Sequence, residues 1–340
     1  DALRTAYNEA VAKLSEYSSE LAQSDGLAAA FRRLRDSAGF DQLSIAQKKV
    51  VDNALRDFKL GGIELNEEKR ERFRAINRDL AKLTTKFSEN VLDATQSWTK
   101  NIDELTELSG LPESALALAR HNATSNGKSG YTLTLDFPCY MPVMSYCDNR
   151  ELRREMYEAY VTRASEQGPD MGRFDNSKNI NEILALRQEL ANLLDYENYA
   201  QYSLATKMAP TTDSVIEFLE DLAIHSLPAA QRDQQELSEF AVAMVGLDQL
   251  EPWDVAYCAE KLQEDAYSFS QEELRPYFPV NRVLAGLFTT VGRLFEISVE
   301  AVASVDTWNQ DVMVYQIRDD NGRLRGAFYL DIYAREHKRG

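Results

Sequence analysis

The chain has 340 residues, 44% hydrophobic and 27% charged, the composition of a folded globular protein long enough for two domains or one large helical body. With 38 Lys and Arg against 55 Asp and Glu, the formal charge is −17, which disfavours binding to nucleic acids and anionic membranes, since both need a basic surface. No apolar run approaches the roughly 20 residues of a membrane span, Asp1-Ala2-Leu3-Arg4 has no signal-peptide pattern, and 3 cysteines without Cys-x-x-Cys spacing suit free thiols in a reducing cytoplasm.

Helical periodicity dominates the chain. Residues 1 to 23 place Leu3, Tyr7, Ala10, Leu14, Tyr17 and Leu21 on one stripe. A second helix is expected from about Asp25 to Asp36. A third runs from its N-cap Ser44 to Phe58, where Gly61-Gly62 stops it. The longest starts at Asn66, with Glu67 and Glu68 favourable at its N-terminus. Phe73, Ile76, Leu80, Leu83, Phe87 and Val91 recur along it at the spacing of a helix packed on antiparallel neighbours.

Residues 101 to 109 read as irregular or a short strand, and Pro112 opens a further helix. Ala123 to Gly130 is turn-rich and suggests a domain boundary; Tyr131 to Leu135 alternates as a strand. Asp148 with Glu151 has capping-box spacing for a helix through Thr162. The next helix, 176 to 194, is expected to turn Ile180, Ile183, Leu184, Leu186 and Leu190 inward. Thr211 or Thr212 caps a long helix toward Val245 that Pro228 is expected to break or kink. Pro252-Trp253-Asp254 opens another, Ser270 with Glu273 has capping-box spacing, and Val283 to Phe295 is helical.

After Trp308 the texture changes. Val312 to Ile317 is extended, Asp319-Asp320-Asn321-Gly322 supplies a hairpin turn, and Leu324 to Tyr333 returns as a strand. Leu324, Phe328, Leu330 and Ile332 share one face; Tyr329, Asp331 and Tyr333 share the other. That alternation fits a sheet with its core behind and either a cavity or plain solvent in front. The expected division is 1–125, a helical lobe; 126–305, a second helical region; and 306–340, a β-hairpin element.

Catalytic constellations are scarce. The sequence has no Gly-x-Ser-x-Gly elbow, phosphate loop, Rossmann glycines or His-Glu-x-x-His, and its histidines are His121, His225 and His337. His225 has no ligand-type residue three or four positions after it, and Asp221 upstream suits a local pair. Cys139, Cys147 and His121 match no usual zinc spacing. No catalytic or metal-ligating residue is assigned.

Several blocks in order carry a resemblance: Ala46 to Phe58, Asn90 to Thr95, Tyr146-Cys147-Asp148-Asn149, Thr162-Arg163-Ala164-Ser165, Leu204 to Ala209, Pro252-Trp253-Asp254, Leu274-Arg275-Pro276-Tyr277-Phe278-Pro279, and Phe328 to Gly340. With these the chain resembles the thimet oligopeptidase family of zinc metallopeptidases. The resemblance implies a mainly α protein: an elongated multi-helix lobe of a two-lobed peptidase, with a small β-hairpin near the C-terminus. It implies a deep channel that admits short peptides and excludes folded proteins. It also implies zinc held by His-Glu-x-x-His and a later glutamate, all beyond Gly340 in the family pattern, and a family segment before Asp1. The expectation is therefore a channel-forming part of a cytoplasmic zinc oligopeptidase that binds no metal and is inactive alone. Tyr329, Asp331, Tyr333 and Arg335 are its channel-facing residues. A non-catalytic helical peptide-binding or scaffold protein is the alternative. Oligomeric state is not readable.

Overall fold

The computed structural model describes residues 2–303, 305–333 and 338. Helices dominate: α1 (Ala2–Ala22), α2 (Asp25–Arg35), α3 (Ile45–Leu60), α4 (Glu67–Ser97), α5 (Glu113–Ser125), α6 (Phe137–Tyr146), α7 (Arg150–Val161), α8 (Ser177–Leu193), α9 (Tyr199–Leu204), α10 (Thr212–Phe240), α11 (Val255–Tyr267), α12 (Gln271–Leu274) and α13 (Val280–Phe295). The strands are β1 (Thr99–Ile102), β2 (Tyr131–Thr134), β3 (Ile297–Ala301), β4 (Met313–Asp319) and β5 (Leu324–Leu330). The chain is mainly α with a small antiparallel sheet near its C-terminus, as expected.

Local chemistry explains most of the boundaries. Ser44 caps α3 reciprocally, its Oγ accepting from Gln47 N at 3.3 Å and its N–H donating to Gln47 Oε1 at 2.9 Å. Asn66 Oδ1 accepts from Lys69 N at 2.9 Å, and Thr211 Oγ1 from Ser214 N at 3.1 Å. Two expected caps differ. Asn149, not Asp148, caps α7, accepting from Leu152 N at 3.2 Å; the Asp148 carboxylate is taken by Ser109 Oγ and Tyr257 Oη at 2.8 and 2.9 Å. Ser270 makes no side-chain cap on α12. Pro228 does not break α10, which continues through it.

Two compact units share the chain, each built from two segments: residues up to Ser97 with Thr162–Gln234, and Trp98–Val161 with residues from Gln235 onward. These borders do not coincide with the expected divisions at 125 and 305. The turn-rich stretch near 125 merely links α5 to β2 within the second unit.

In the first unit, α4 packs on α1 and α8. Phe73 and Ile76 meet Leu190, with Leu80 and Leu186 beside them. Asn176 and Asn179 donate to the carbonyls of Phe87 and Leu83 at 3.1 and 3.0 Å, tying α4 to the start of α8. The α1 stripe turns outward: Leu3 and Leu14 are exposed, while Arg4 pairs with Asp93 and Asn8 with Glu89 on α4. On α8, Ile183 and Leu190 are buried, but Ile180 and Leu184 are exposed, which corrects their inward assignment.

In the second unit, β1 and β2 pair antiparallel, Thr99 opposite Thr134. Leu133, Leu135, Val143, Cys147 and Met156 form the centre of its main core. Each fully buried large apolar side chain contributes about 1.5–3 kcal/mol relative to exposure. The C-terminal sheet has order β3-β4-β5, and Phe288 of α13 packs on one face against Tyr315 and Phe328, ring centroids 4.8 and 6.5 Å apart. The hairpin closes through Asp319 N to Arg323 O at 3.0 Å, and Gly322 takes φ 74°, where glycine is unstrained.

Candidate functional site

The polar face of the hairpin forms a compact cluster. Tyr329 projects from the outer face of β5, 47% exposed, and its ring lies 5.2 Å from that of Trp308. Trp308 Nε1 donates to Asp331 Oδ2 at 2.9 Å. Lys338 Nζ lies 3.2 Å from Asp331 Oδ1 and donates to the backbone oxygens of Asp331 and Tyr333 at 2.8 and 2.9 Å. Asp331 is thus held by an indole N–H and an ammonium at once.

Strand β5 ends at Leu330, not Tyr333. Asp331 and Tyr333 therefore lie past the region where alternation fixes a face. The Tyr333 side chain is exposed and its carbonyl anchors Lys338. Of the four residues expected to face a channel, the structure gathers Tyr329 and Asp331 directly and Tyr333 through its backbone. Arg335 lies outside the described residues. Trp308 and Lys338 were not singled out from sequence. A tryptophan followed by Asn309-Gln310-Asp311, one of only 3 in the chain, was the available signal for the first.

The other chemically distinctive groups are either locally paired at the surface or buried in packing. His225 Nδ1 sits 2.8 Å from Asp221 O and 3.3 Å from Asp221 Oδ1, the local pair expected from sequence, and the pair is exposed. His121 Nε2 approaches Ser125 Oγ at 3.5 Å; His337 is outside the described residues. Cys139, Cys147 and Cys258 are buried free thiols whose burial pushes their pKa values up, away from thiolate chemistry. Burial, aided by Glu260, pushes Tyr146 up to about 12; burial and the hydrogen bond to Asp148 do the same for Tyr257. Both phenols stay protonated at neutral pH. Among the described residues, no group of three or more His, Cys, Asp or Glu is placed to hold a metal ion.

The most buried charges form a clamp in the second unit. Asp254, fully buried, accepts from Arg150 Nη2 at 2.7 Å, Arg153 Nη2 at 2.8 Å and Glu251 N at 3.2 Å. Arg153, 1% exposed, also donates to Cys147 O at 2.6 Å and Trp253 O at 3.2 Å. Its guanidinium lies 4.1 Å from the Tyr257 ring centroid. Every strong polar group here has a partner within the clamp, so it joins α7 to the start of α11 and presents no reacting atom.

Comparison with known proteins places the chain in a family. The profile of "Peptidase family M3" matches residues 143–340, and that of "Neurolysin/Thimet oligopeptidase, N-terminal domain" matches residues 1–70. Oligopeptidase A of Escherichia coli (strain K12) is 52% identical over 338 residues, covering 99% of this chain and 50% of the relative. Organellar oligopeptidase A of Arabidopsis thaliana is 40% identical over 99% of this chain and 43% of its own length. Dipeptidyl carboxypeptidase of Escherichia coli (strain K12) is 28% identical over 90% of this chain and 44% of its own. The chain therefore spans about half the length of these relatives, and the family profile, which matches more than half of the chain, shows that it belongs to peptidase family M3.

Proposed function

We propose that this chain is the peptide-handling part of a zinc-dependent oligopeptidase. Its substrates are short peptides cleaved at internal bonds, and its setting is the cytoplasm. The observation that carries the reading is the 52% identity to oligopeptidase A, sustained along 99% of the chain.

Zinc in a peptidase takes three protein ligands, usually histidines with a carboxylate, and leaves a position open for water. The sequence has no His-Glu-x-x-His, and among the described residues no group of metal-ligating side chains converges. The residues here do not fit zinc. This chain's own contribution is a wall: Tyr329, Asp331, Tyr333 and Arg335 line the path of the peptide, and helices restrict access to short, unfolded substrates. The charge of −17 disfavours nucleic acids and anionic membranes as partners.

The test joins this chain to the unaligned part of the Escherichia coli relative. Chelator-sensitive cleavage of an internally quenched short peptide is expected. Asp331→Asn and Tyr333→Phe in that fusion are expected to lower kcat/KM several-fold. Unchanged turnover in both variants would remove these residues from the channel wall. A folded fusion that binds zinc and cleaves no peptide would overturn the oligopeptidase reading.

A further inference from the structure

The peptide-handling reading leaves one arrangement unexplained. Trp308 holds a large apolar ring 63% exposed to water, although its only polar atom, the indole N–H, is satisfied by Asp331. Asp331 is fixed in turn by Lys338, and both of those side chains are less than one-fifth exposed. A half-buried ion pair thus braces an exposed ring and sets it beside a second exposed ring, Tyr329, at 5.2 Å. An indole that served packing would present its face inward. Here the braced ring stays mostly in water.

We propose that Trp308 and Tyr329 form a shelf that receives an aromatic or large aliphatic side chain of a bound peptide, with Asp331 and Lys338 as positioning residues. The proposal rests on the peptide-handling function argued above and names a subsite within it. Two ring faces suit one side chain, which stacks or packs edge-on against them. They are far smaller than the roughly 800 Å² per partner that a stable dimer buries. Charge refines the choice. Despite the acidic chain, Asp331 offers no attraction specific to a basic side chain, because Lys338 neutralises it at 3.2 Å and Trp308 occupies its other oxygen. The shelf therefore selects for apolar bulk.

The experiment uses the whole 340-residue chain and blocked pentapeptides of glycine with Phe, Ala or Lys at the centre. Affinity is measured by calorimetry and seating by indole emission. Trp98 and Trp253 are half-buried in packed surroundings, so Trp308 is the indole most open to a ligand. The Phe peptide is expected to bind at least about tenfold more tightly than the other two and to shift emission to shorter wavelength. Trp308→Ala should bring the three affinities within about twofold and abolish the shift while leaving the thermal melt unchanged. Asp331→Asn keeps an acceptor for the indole and should keep the ratio of Phe to Ala affinities even as binding of every peptide weakens; Asp331→Leu should lose that ratio, a rescue pattern that a purely structural role would not give. Peptide binding that ignores Trp308→Ala and leaves emission unmoved overturns the shelf but not the peptide-handling reading. Failure to bind any of the three peptides overturns both. A chain that is dimeric until Trp308→Ala makes it monomeric overturns the shelf in favour of a contact between copies.

Discussion

Replacing Asp254 tests the energetic centre of the second unit. Asp254→Asn keeps the shape of the side chain and removes its charge, leaving the Arg153 guanidinium 1% exposed with no carboxylate. Removing one partner of a buried ion pair costs about 3–5 kcal/mol. At about 1.4 kcal/mol per factor of ten, the folded-to-unfolded ratio falls by roughly two to four orders of magnitude. Arg150 is 40% exposed at its side chain, so Arg150→Ala should cost about 1 kcal/mol or less. Urea unfolding followed by indole emission measures both, because Trp98, Trp253 and Trp308 all belong to the second unit. The midpoint should move while the slope is unchanged. The pH dependence has a definite sign. Burial alone would raise the Asp254 pKa, but hydrogen bonds from Arg150 and Arg153 outweigh it and hold the group below its ordinary value. A depressed carboxylate contributes stability that is fully present above its unfolded value, about 3.9, and is lost as pH falls through its lower folded value. The gap between wild type and Asp254→Asn should stay constant above about pH 5 and narrow below about pH 4. A cost under about 1 kcal/mol for Asp254→Asn, against the figure for a broken buried pair, would refute the clamp.

Other consequences follow from individual contacts. Gly110 has φ 86°, and a Cβ there would meet Tyr146 O at 2.2 Å; Gly110→Ala should therefore leave little folded protein by circular dichroism, whereas Gly127→Ala, with open space around it, should be far milder. Met156→Ala empties a fully buried site and should lower stability by about 2–5 kcal/mol in the same urea assay. The three buried thiols should react with a disulfide reagent only at the rate of local or global unfolding, and all three rapidly in denaturant.

Much of the helical organisation was legible because capping and periodicity agree, as at Ser44-Gln47 and along Phe73, Ile76 and Leu80. The terminal hairpin was legible because Asp319 to Gly322 states its turn. Helix α6 was not, since Phe137–Tyr146 carries Pro138 and Pro142 and buries Cys139, Tyr140, Val143 and Met144, leaving no polar face to mark a helical period. The Asp148 cap failed because tertiary partners, Ser109 and Tyr257, outcompete the local helix for the carboxylate. Strand β3 was missed: five residues after Glu296, itself at positive φ, are too few for a clear alternation. The unit borders could not be read at all, because each unit combines segments distant in sequence. At the candidate site, alternation identified Tyr329, but the brace of Trp308, Asp331 and Lys338 joins residues 23 and 7 positions apart and exists only in three dimensions.

The central claim is that these 340 residues handle peptides while the metal chemistry of the family resides in other residues. The direct measurement is metal content by mass spectrometry on the purified chain, paired with an internally quenched peptide in the presence and absence of a chelator. The account predicts no stoichiometric zinc and no cleavage. Zinc at one ion per chain with chelator-sensitive hydrolysis, contaminating peptidase excluded, would contradict it.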